Sequence, residues 1–295
     1  MDRCIDSFEN FPWDGNAEIY NVYTKDNYKV LYTRANTNKC CVFFTSNDLF
    51  FPNTVEEMEK RIIKEDRYEW ENISRNKLIL RTYKKIIFLR DVYKQWYITG
   101  INSSIDTIDK VCDMLRKETA GYSVTTCGSS SGGYMAVLVG CLLNAELIFS
   151  NSGQFDITED SIFAKKYIDD VQRNKYFNIK WLVRNNTNNI FYFFPVYSES
   201  DVRQYNFIED IDVNVICFNS FQHGVTMSPM CWIKLLTYEN KDLILLCKKY
   251  KGMIINQSQL AKDVLSKRDF LYSFVYQLVK KMIRAVKNIL LHYSR

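Results

Sequence analysis

The sequence predicts an α/β fold: a mainly parallel central sheet with helices on both faces, plus one extra helix at the C-terminus. Three observations lead there. Short β-branched and aromatic runs alternate with helical patterns along the 295 residues. Several of those runs are apolar at every position, as strands covered on both faces must be. The composition, 47% hydrophobic and 25% charged, is that of a globular chain able to bury a sizeable core. One large α/β domain with an appendage fits this length better than two equal domains.

Taken in chain order, strands are expected at residues 28–34, 40–45, 86–90, 123–127, 147–150, 190–196 and 213–218. The segments Cys40-Cys41-Val42-Phe43-Phe44 and Ile190-Phe191-Tyr192-Phe193-Phe194 carry the pattern most clearly. Helical patterns fall near 55–68, 104–118, 132–143 and 202–209. Strand–helix alternation implies right-handed crossovers between parallel neighbours. Residues 1–250 make up the main domain on this reading. Within it, 151–189 breaks the rhythm with a polar and aromatic stretch, a position suited to a cap or lid and equally to a plain surface insertion. Residues 251–295 read as a basic, helical C-terminal extension.

The most informative segment runs from Tyr122 to Leu138. A β-branched strand enters Gly128-Ser129-Ser130-Ser131-Gly132, and an apolar helix follows. This is the G-x-S-x-G pattern of a strand-to-helix turn that lifts a serine hydroxyl above the sheet. Side chains two residues to either side would collide there, so glycine occupies both places. Ser130 has glycine at both flanks; Ser129 and Ser131 do not. A phosphate-binding turn is the competing use of such a loop, but the Lys-Ser/Thr that would follow is absent. The new helix also offers the backbone N–H of Ser131 to a developing oxyanion.

A serine nucleophile needs a base and a group to orient that base. There are two histidines. His292 lies in the basic tail, whereas His223 follows the last long strand in a short loop. Asp201 follows the strand before it, which gives the chain order Ser, Asp, His. Glu199 and Asp210 are its rivals, and an ordinary helix N-cap is its structural alternative. The second oxyanion donor is expected from the loop after residues 40–45, at the N–H of Ser46 or Asn47.

The block Ile87-Phe88-Leu89-Arg90-Asp91, then Gln95-Trp96-Tyr97-Ile98-Thr99-Gly100-Ile101, resembles bacterial α/β-hydrolase-like proteins encoded with capsule and surface-polysaccharide biosynthesis. The elbow Gly128–Gly133 and the stretch Leu147–Gln154 fit the same pattern. The resemblance spans about residues 39–227 and extends to serine-dependent capsule O-acetyltransferases. One departure is Gly224, where a polar residue such as Asn is expected after the histidine. The resemblance implies an α/β-hydrolase-like sheet, acyl-ester chemistry on a glycan and acetyl-CoA as an acyl donor, with no bound cofactor and no metal. It leaves transfer and hydrolysis both open. At the active-site edge of the sheet, Arg90 could bind an anionic substrate and Trp96 and Tyr97 could stack on a sugar; Gln154 is the further candidate for a substrate contact. Bracing by an Arg90–Asp91 pair and core packing of the two aromatics are the alternatives. A hydrolase fold without catalysis, acting as a scaffold or membrane tether, is the reading from another class.

The net charge of +5 is concentrated near the C-terminus, at Lys280, Lys281, Arg284, Lys287 and Arg295. Local basicity argues for a surface contact and against nucleic acid as a partner. In 270–295, Leu271, Val275, Leu278, Met282, Val286, Leu290 and Tyr293 share a helical face, which suits an anionic membrane surface, a protein partner, a second copy of the chain or packing on its own domain. The scattered cysteines read as buried free thiols. With Met1–Asp6 lacking an apolar stretch, the expectation is a cytoplasmic protein, peripheral at the inner face of the membrane if the tail binds lipid.

Overall fold

The computed structural model describes residues 17–51, 54–158, 175–225, 227–272 and 275. Among the described residues, eight strands form one sheet: β1 (Tyr28–Tyr32), β2 (Lys39–Phe44), β3 (Lys85–Leu89), β4 (Ser123–Ser129), β5 (Leu147–Asn151), β6 (Ile190–Pro195), β7 (Asn214–Phe218) and β8 (Ile254–Ile255). Their spatial order is β1-β3-β2-β4-β5-β6-β7-β8. β1 runs antiparallel to β3, and every other neighbouring pair is parallel. Each of the seven expected segments carries a strand. β8 has two residues, too few to leave a periodic signal in the sequence.

The described helices are α1 (Ala17–Tyr23), α2 (Val55–Met58), α3 (Glu71–Ser74), α4 (Lys77–Thr82), α5 (Ile108–Glu118), α6 (Ser131–Leu142), α7 (Lys180–Arg184), α8 (Glu199–Ile208), α9 (Pro229–Leu235), α10 (Asn240–Tyr250) and α11 (Gln257–Val264). The helix expected at 55–68 is α2 continued by a π-turn over Glu59–Lys64; it ends before Asp66, whose φ is +44°. α5 starts at Ile108 and not near 104, because the Asn102 side chain accepts from the N–H groups of Ser104 and Ile105 and spends them in a turn. Thr107 then caps the helix at the Lys110 N–H.

Successive β2 residues face opposite layers. Cys40, Val42 and Phe44 pack with Ile87, Leu89, α5 and α6. Cys41 and Phe43 pack with Ile86, Phe88, Cys127, Phe149 and α9 to α11. This two-sided burial is what the unbroken apolar runs encode, and each fully buried large side chain contributes roughly 1.5–3 kcal/mol. α6 is buried almost all round, so no amphipathic stripe marks it. The described cysteines are free thiols, all buried except half-buried Cys217.

Two domain expectations are corrected. The sheet does not end near residue 250: β8 pairs with β7, and Leu260, Ala261 and Val264 of α11 join the second core. The described parts of 151–189 are not a cap, since Phe155, Ile157, Tyr176, Phe177, Leu182 and Val183 lie in the first core. Residues 159–174 and nearly all of the basic 270–295 segment, including His292, lie outside the described residues. Among the described residues, no helix is long and apolar enough to cross a membrane.

Beyond β3 the chain turns on one buried carboxylate. Asp91 accepts from the N–H groups of Tyr93, Gln95 and Tyr97 at 3.0, 2.6 and 2.9 Å. It thereby holds three non-glycine residues at positive φ: Lys94, Trp96 and Tyr97. Burial outweighs these hydrogen bonds and pushes the carboxyl up to about 6. A folded-state pKa above the unfolded value means that the folded chain holds more protons between the two values. The associated stability is therefore present below the unfolded pKa and lost as pH rises through about 6. Urea unfolding at pH 4.5 and 6.5 should give a more negative dependence on pH for wild type than for Asp91→Ala; equal slopes would disprove the assignment.

Candidate active site

The site lies at the carboxyl edge of the sheet, where β4 passes into α6. Ser130 stands between them at φ +51° and ψ −123°, a conformation that costs a non-glycine residue roughly 1–3 kcal/mol. Its N–H donates to the Asn151 carbonyl of β5 at 2.9 Å, which fixes the turn. The flanking glycines are required by contact and not by their own torsions. A Cβ on Gly128 would lie 2.1 Å from the Gly132 carbonyl oxygen, and one on Gly132 would lie 2.5 Å from that of Phe44.

His223 Nε2 lies 2.9 Å from Ser130 Oγ, and His223 Nδ1 lies 2.9 Å from Asp201 Oδ2. Ser130 is partly accessible, the histidine side chain is 41% exposed and that of Asp201 is 1% exposed. A half-open imidazole backed by a buried carboxylate can accept the serine proton on one ring nitrogen while the other stays protonated. The neighbouring serines are spent elsewhere: Ser131 Oγ donates to Asn47 Oδ1 at 3.0 Å, and Ser129 Oγ accepts from Asn151 Nδ2 at 2.7 Å. Asp210, a rival for the acid position, pairs with Lys180 and Arg184.

Asp201 is not the N-cap of its helix. α8 begins at Glu199, three residues before the expected start, and Asp201 sits inside the first turn, where the helix dipole favours a carboxylate. Ser198 Oγ donates to the same Oδ2 that faces His223. Sequence reasoning missed this hydroxyl, although a serine three residues before an acid at a helix start was its available signal.

Two of the expected oxyanion donors fall at helical starts. Ser131 is the first residue of α6 and Asn47 the first of a 3-10 turn, Asn47–Phe50; such N–H groups have no intrahelical acceptor. Ser46, the other candidate, is corrected. Its N–H donates to Glu69 Oε2 at 2.9 Å and its hydroxyl to Glu69 Oε1 at 2.8 Å, so that donor is already engaged. Burial raises the Glu69 pKa above the usual carboxylate range. Leu49 and Phe50, fully buried against Met58, Ile62 and Val92, anchor the loop from below.

Two expected substrate residues are likewise corrected. Arg90 is buried: Nε donates to Asn27 Oδ1, Nη1 to Asp66 Oδ1, and the guanidinium lies 4.4 Å from the Tyr68 ring centroid. It is a brace, with Asp66 and not Asp91 as its partner. Tyr97 is fully buried, and its hydroxyl donates to the Thr45 carbonyl at 3.0 Å. Trp96 and Gln154 meet each other, the indole N–H donating to Gln154 Oε1 at 3.2 Å. Exposed aromatics stand at the rim instead: Tyr197 and Phe221 stack with centroids 4.8 Å apart, and Phe221 is two residues from His223.

The serine turn follows a central parallel strand, and the acid and the histidine follow the next strands but one and two. The fold is of the α/β-hydrolase type. The sequence matches no protein-family model and no curated protein. Solved structures to which the chain is similar include the following. One is the capsule O-acetyltransferase of Neisseria meningitidis serogroup A, at 11% identity and TM-score 0.47, covering 67% of this chain and 85% of that one. Another is MPT51 of Mycobacterium tuberculosis, at 12% and 0.46, covering 74% and 91%. The third is esterase B of Lactobacillus rhamnosis, at 10% and 0.39, covering 68% and 79%. Likeness at this level has no bearing on activity, and the fold assignment stands on this chain's own strand order and turn.

Asn151 joins the two halves of the site. Besides bonding Ser129, its side-chain amide donates to the Val225 carbonyl at 3.2 Å, and its Oδ1 accepts from the Val225 N–H at 3.1 Å. The loop carrying His223 is thus pinned to the serine turn by one buried amide. Asn151→Ala should cost about 1–3 kcal/mol and slow covalent labelling of Ser130 by a fluorophosphonate. A labelling rate equal to wild type would show that the loop holds its place without the pin.

Proposed function

We propose that this chain is a serine-dependent acyl-ester enzyme acting on a bacterial surface or capsular polysaccharide through an acyl-serine intermediate, with acetyl-CoA as the donor when it works as an O-acetyltransferase. The observation that carries the chemistry is the continuous relay from Asp201 through His223 to Ser130 Oγ, with both hydrogen bonds at 2.9 Å. The polysaccharide rests on the resemblance of residues 87–101 and of the elbow to capsule-associated proteins.

In the first half-reaction, His223 Nε2 removes the Ser130 proton as Oγ attacks the acyl carbonyl carbon. The carbonyl electrons move onto oxygen, which the N–H groups of Ser131 and Asn47 hold. Collapse of this intermediate expels a thiolate or alkoxide, and the imidazolium returns the proton to it. In the second half, a sugar hydroxyl gives its proton to His223 and attacks the acyl-serine, releasing the new ester and restoring Ser130. Water in the same place completes hydrolysis. Asp201 keeps the imidazole in the tautomer that faces Ser130 and stabilises its charged form. Loss of one oxyanion donor costs ~10²–10³ in turnover in related chemistry.

A fluorophosphonate should label wild type at Ser130 and leave Ser130→Ala unlabelled. Asp201→Asn should lower turnover by roughly 10⁴, through the wrong tautomer. Absence of labelling in folded wild type would refute the enzymatic reading and favour the scaffold. Following acetyl-CoA with and without O-deacetylated capsular polysaccharide then separates the two directions: thiol release that depends on the polysaccharide marks transfer, and release without it marks hydrolysis.

A further inference from the structure

We propose that the cavity beside the oxyanion loop is the subsite for a neutral carbohydrate acceptor, an inference that rests on the acyl-ester reading above. The cavity holds about 580 Å³, within the range of small-molecule sites. Its walls come from the π-turn after α2 and the loop leading into α3. Glu69 is one of its lining residues and is also the carboxylate that clamps the N–H and hydroxyl of Ser46. Ser46 adjoins Asn47, and the Asn47 side chain accepts from Ser131, the residue after Ser130. A continuous run of contacts therefore leads from the cavity wall to the serine turn.

The lining selects the class of ligand. Three cationic residues, Lys60, Arg61 and Arg67, are matched by three carboxylates, Glu65, Glu69 and Glu71. A balanced wall lacks the positive field that a polyphosphate or a polyanionic glycan requires. It does supply closely spaced donors and acceptors, which suits hydroxyl groups, since each hydroxyl both donates and accepts. Trp70 adds an aromatic wall, held by its N–H to the Phe44 carbonyl and by stacking on Phe43. Trp70 is partly accessible, with Trp232 edge-on to it at 5.2 Å, and the C–H face of a pyranose packs on such a ring, whereas an acyl chain would shield from water the charged groups of the lining, several of them already paired with Glu57 and Lys29.

The backbone points the same way. Asp66 and Trp70, four residues apart, have φ of +44° and +72° without being glycine. Aspartate tolerates this conformation, whereas tryptophan holds it only where the surroundings enforce it, and enforced residues of that kind concentrate at ligand sites.

The test uses the full chain carrying Ser130→Ala, so that binding is read without turnover, with and without Arg67→Ala and Asn72→Ala together. Among the described contacts, Arg67 supports the fold through its backbone, which accepts from Arg90 and donates to Arg61, and Asn72 is exposed. Saturation-transfer NMR is recorded with cellotriose, chitotriose, an α-2,8-linked sialic acid trimer and coenzyme A. The expected result is transfer to a neutral trisaccharide and at least a tenfold weaker affinity in the double variant. No transfer to either neutral sugar at millimolar concentration would overturn the proposal, as would transfer undiminished in the double variant. Loss of coenzyme A binding in that variant, with sugars unaffected, would assign the cavity to the donor and also overturn it. Fluorophosphonate labelling of the Ser130-containing protein reports on the chemistry separately. Labelled protein that binds no sugar removes the subsite alone, and unlabelled protein that binds sugar removes the chemistry alone.

Discussion

The hydrogen bond from the Ser130 N–H to the Asn151 carbonyl holds a torsional strain that the rest of the site depends on. Released from it, the turn between β4 and α6 would relax, and the Ser131 N–H and the Ser130 hydroxyl would lose their common direction. Tight packing reinforces the bond from both sides. Gly128 lies against Gly132, and Gly132 lies against the end of β2, so the turn has no free volume into which to unwind. The end of β2 also starts the loop that carries Asn47, so the clearance that admits a strained serine fixes how near that loop comes to the turn.

Support for the edge then spreads outward through polar side chains with little access to water. Asn151 couples the serine turn to the histidine loop, Ser198 backs Asp201, Glu69 clamps Ser46, and Asp91 shapes the loop after β3. Asn151 and Ser198 are neutral and fix their neighbours without desolvating a charge, whereas Asp91 and Glu69 do so at the cost of burying a carboxyl, which raises the pKa of both. The arrangement places rigidity where geometry matters and leaves Phe221 and the outer side of His223 open to solvent.

Much of this was legible in the sequence, for identifiable reasons. Strands buried on both faces leave unbroken apolar runs, so β2, β3 and β6 announce themselves. A G-x-S-x-G turn is a local device, and its glycines are dictated by contacts within a few residues. His223 stood out as a loop histidine after a late strand, the other lying in the tail, and Asp201 as the acid of the preceding loop, with the chain order Ser, Asp, His in agreement. What stayed hidden was tertiary. Nothing in the sequence around Glu69 shows that it reaches back to Ser46, and Arg90 and Tyr97 look like ligand contacts until Asn27, Asp66 and Thr45 are seen beside them. The short helices α3 and α4 and the two-residue β8 are too brief for periodicity to register. The Asn102 turn, which delays α5, competes with helix propensity through side-chain bonding that a pattern of apolar residues does not record.

The torsion at position 130 carries one more implication. Glycine would relieve the torsion there, at the cost of a more flexible unfolded chain. Serine keeps it, so the direction of the hydroxyl is fixed when the chain folds and not when a ligand arrives, and the outlay for aiming that oxygen falls on stability.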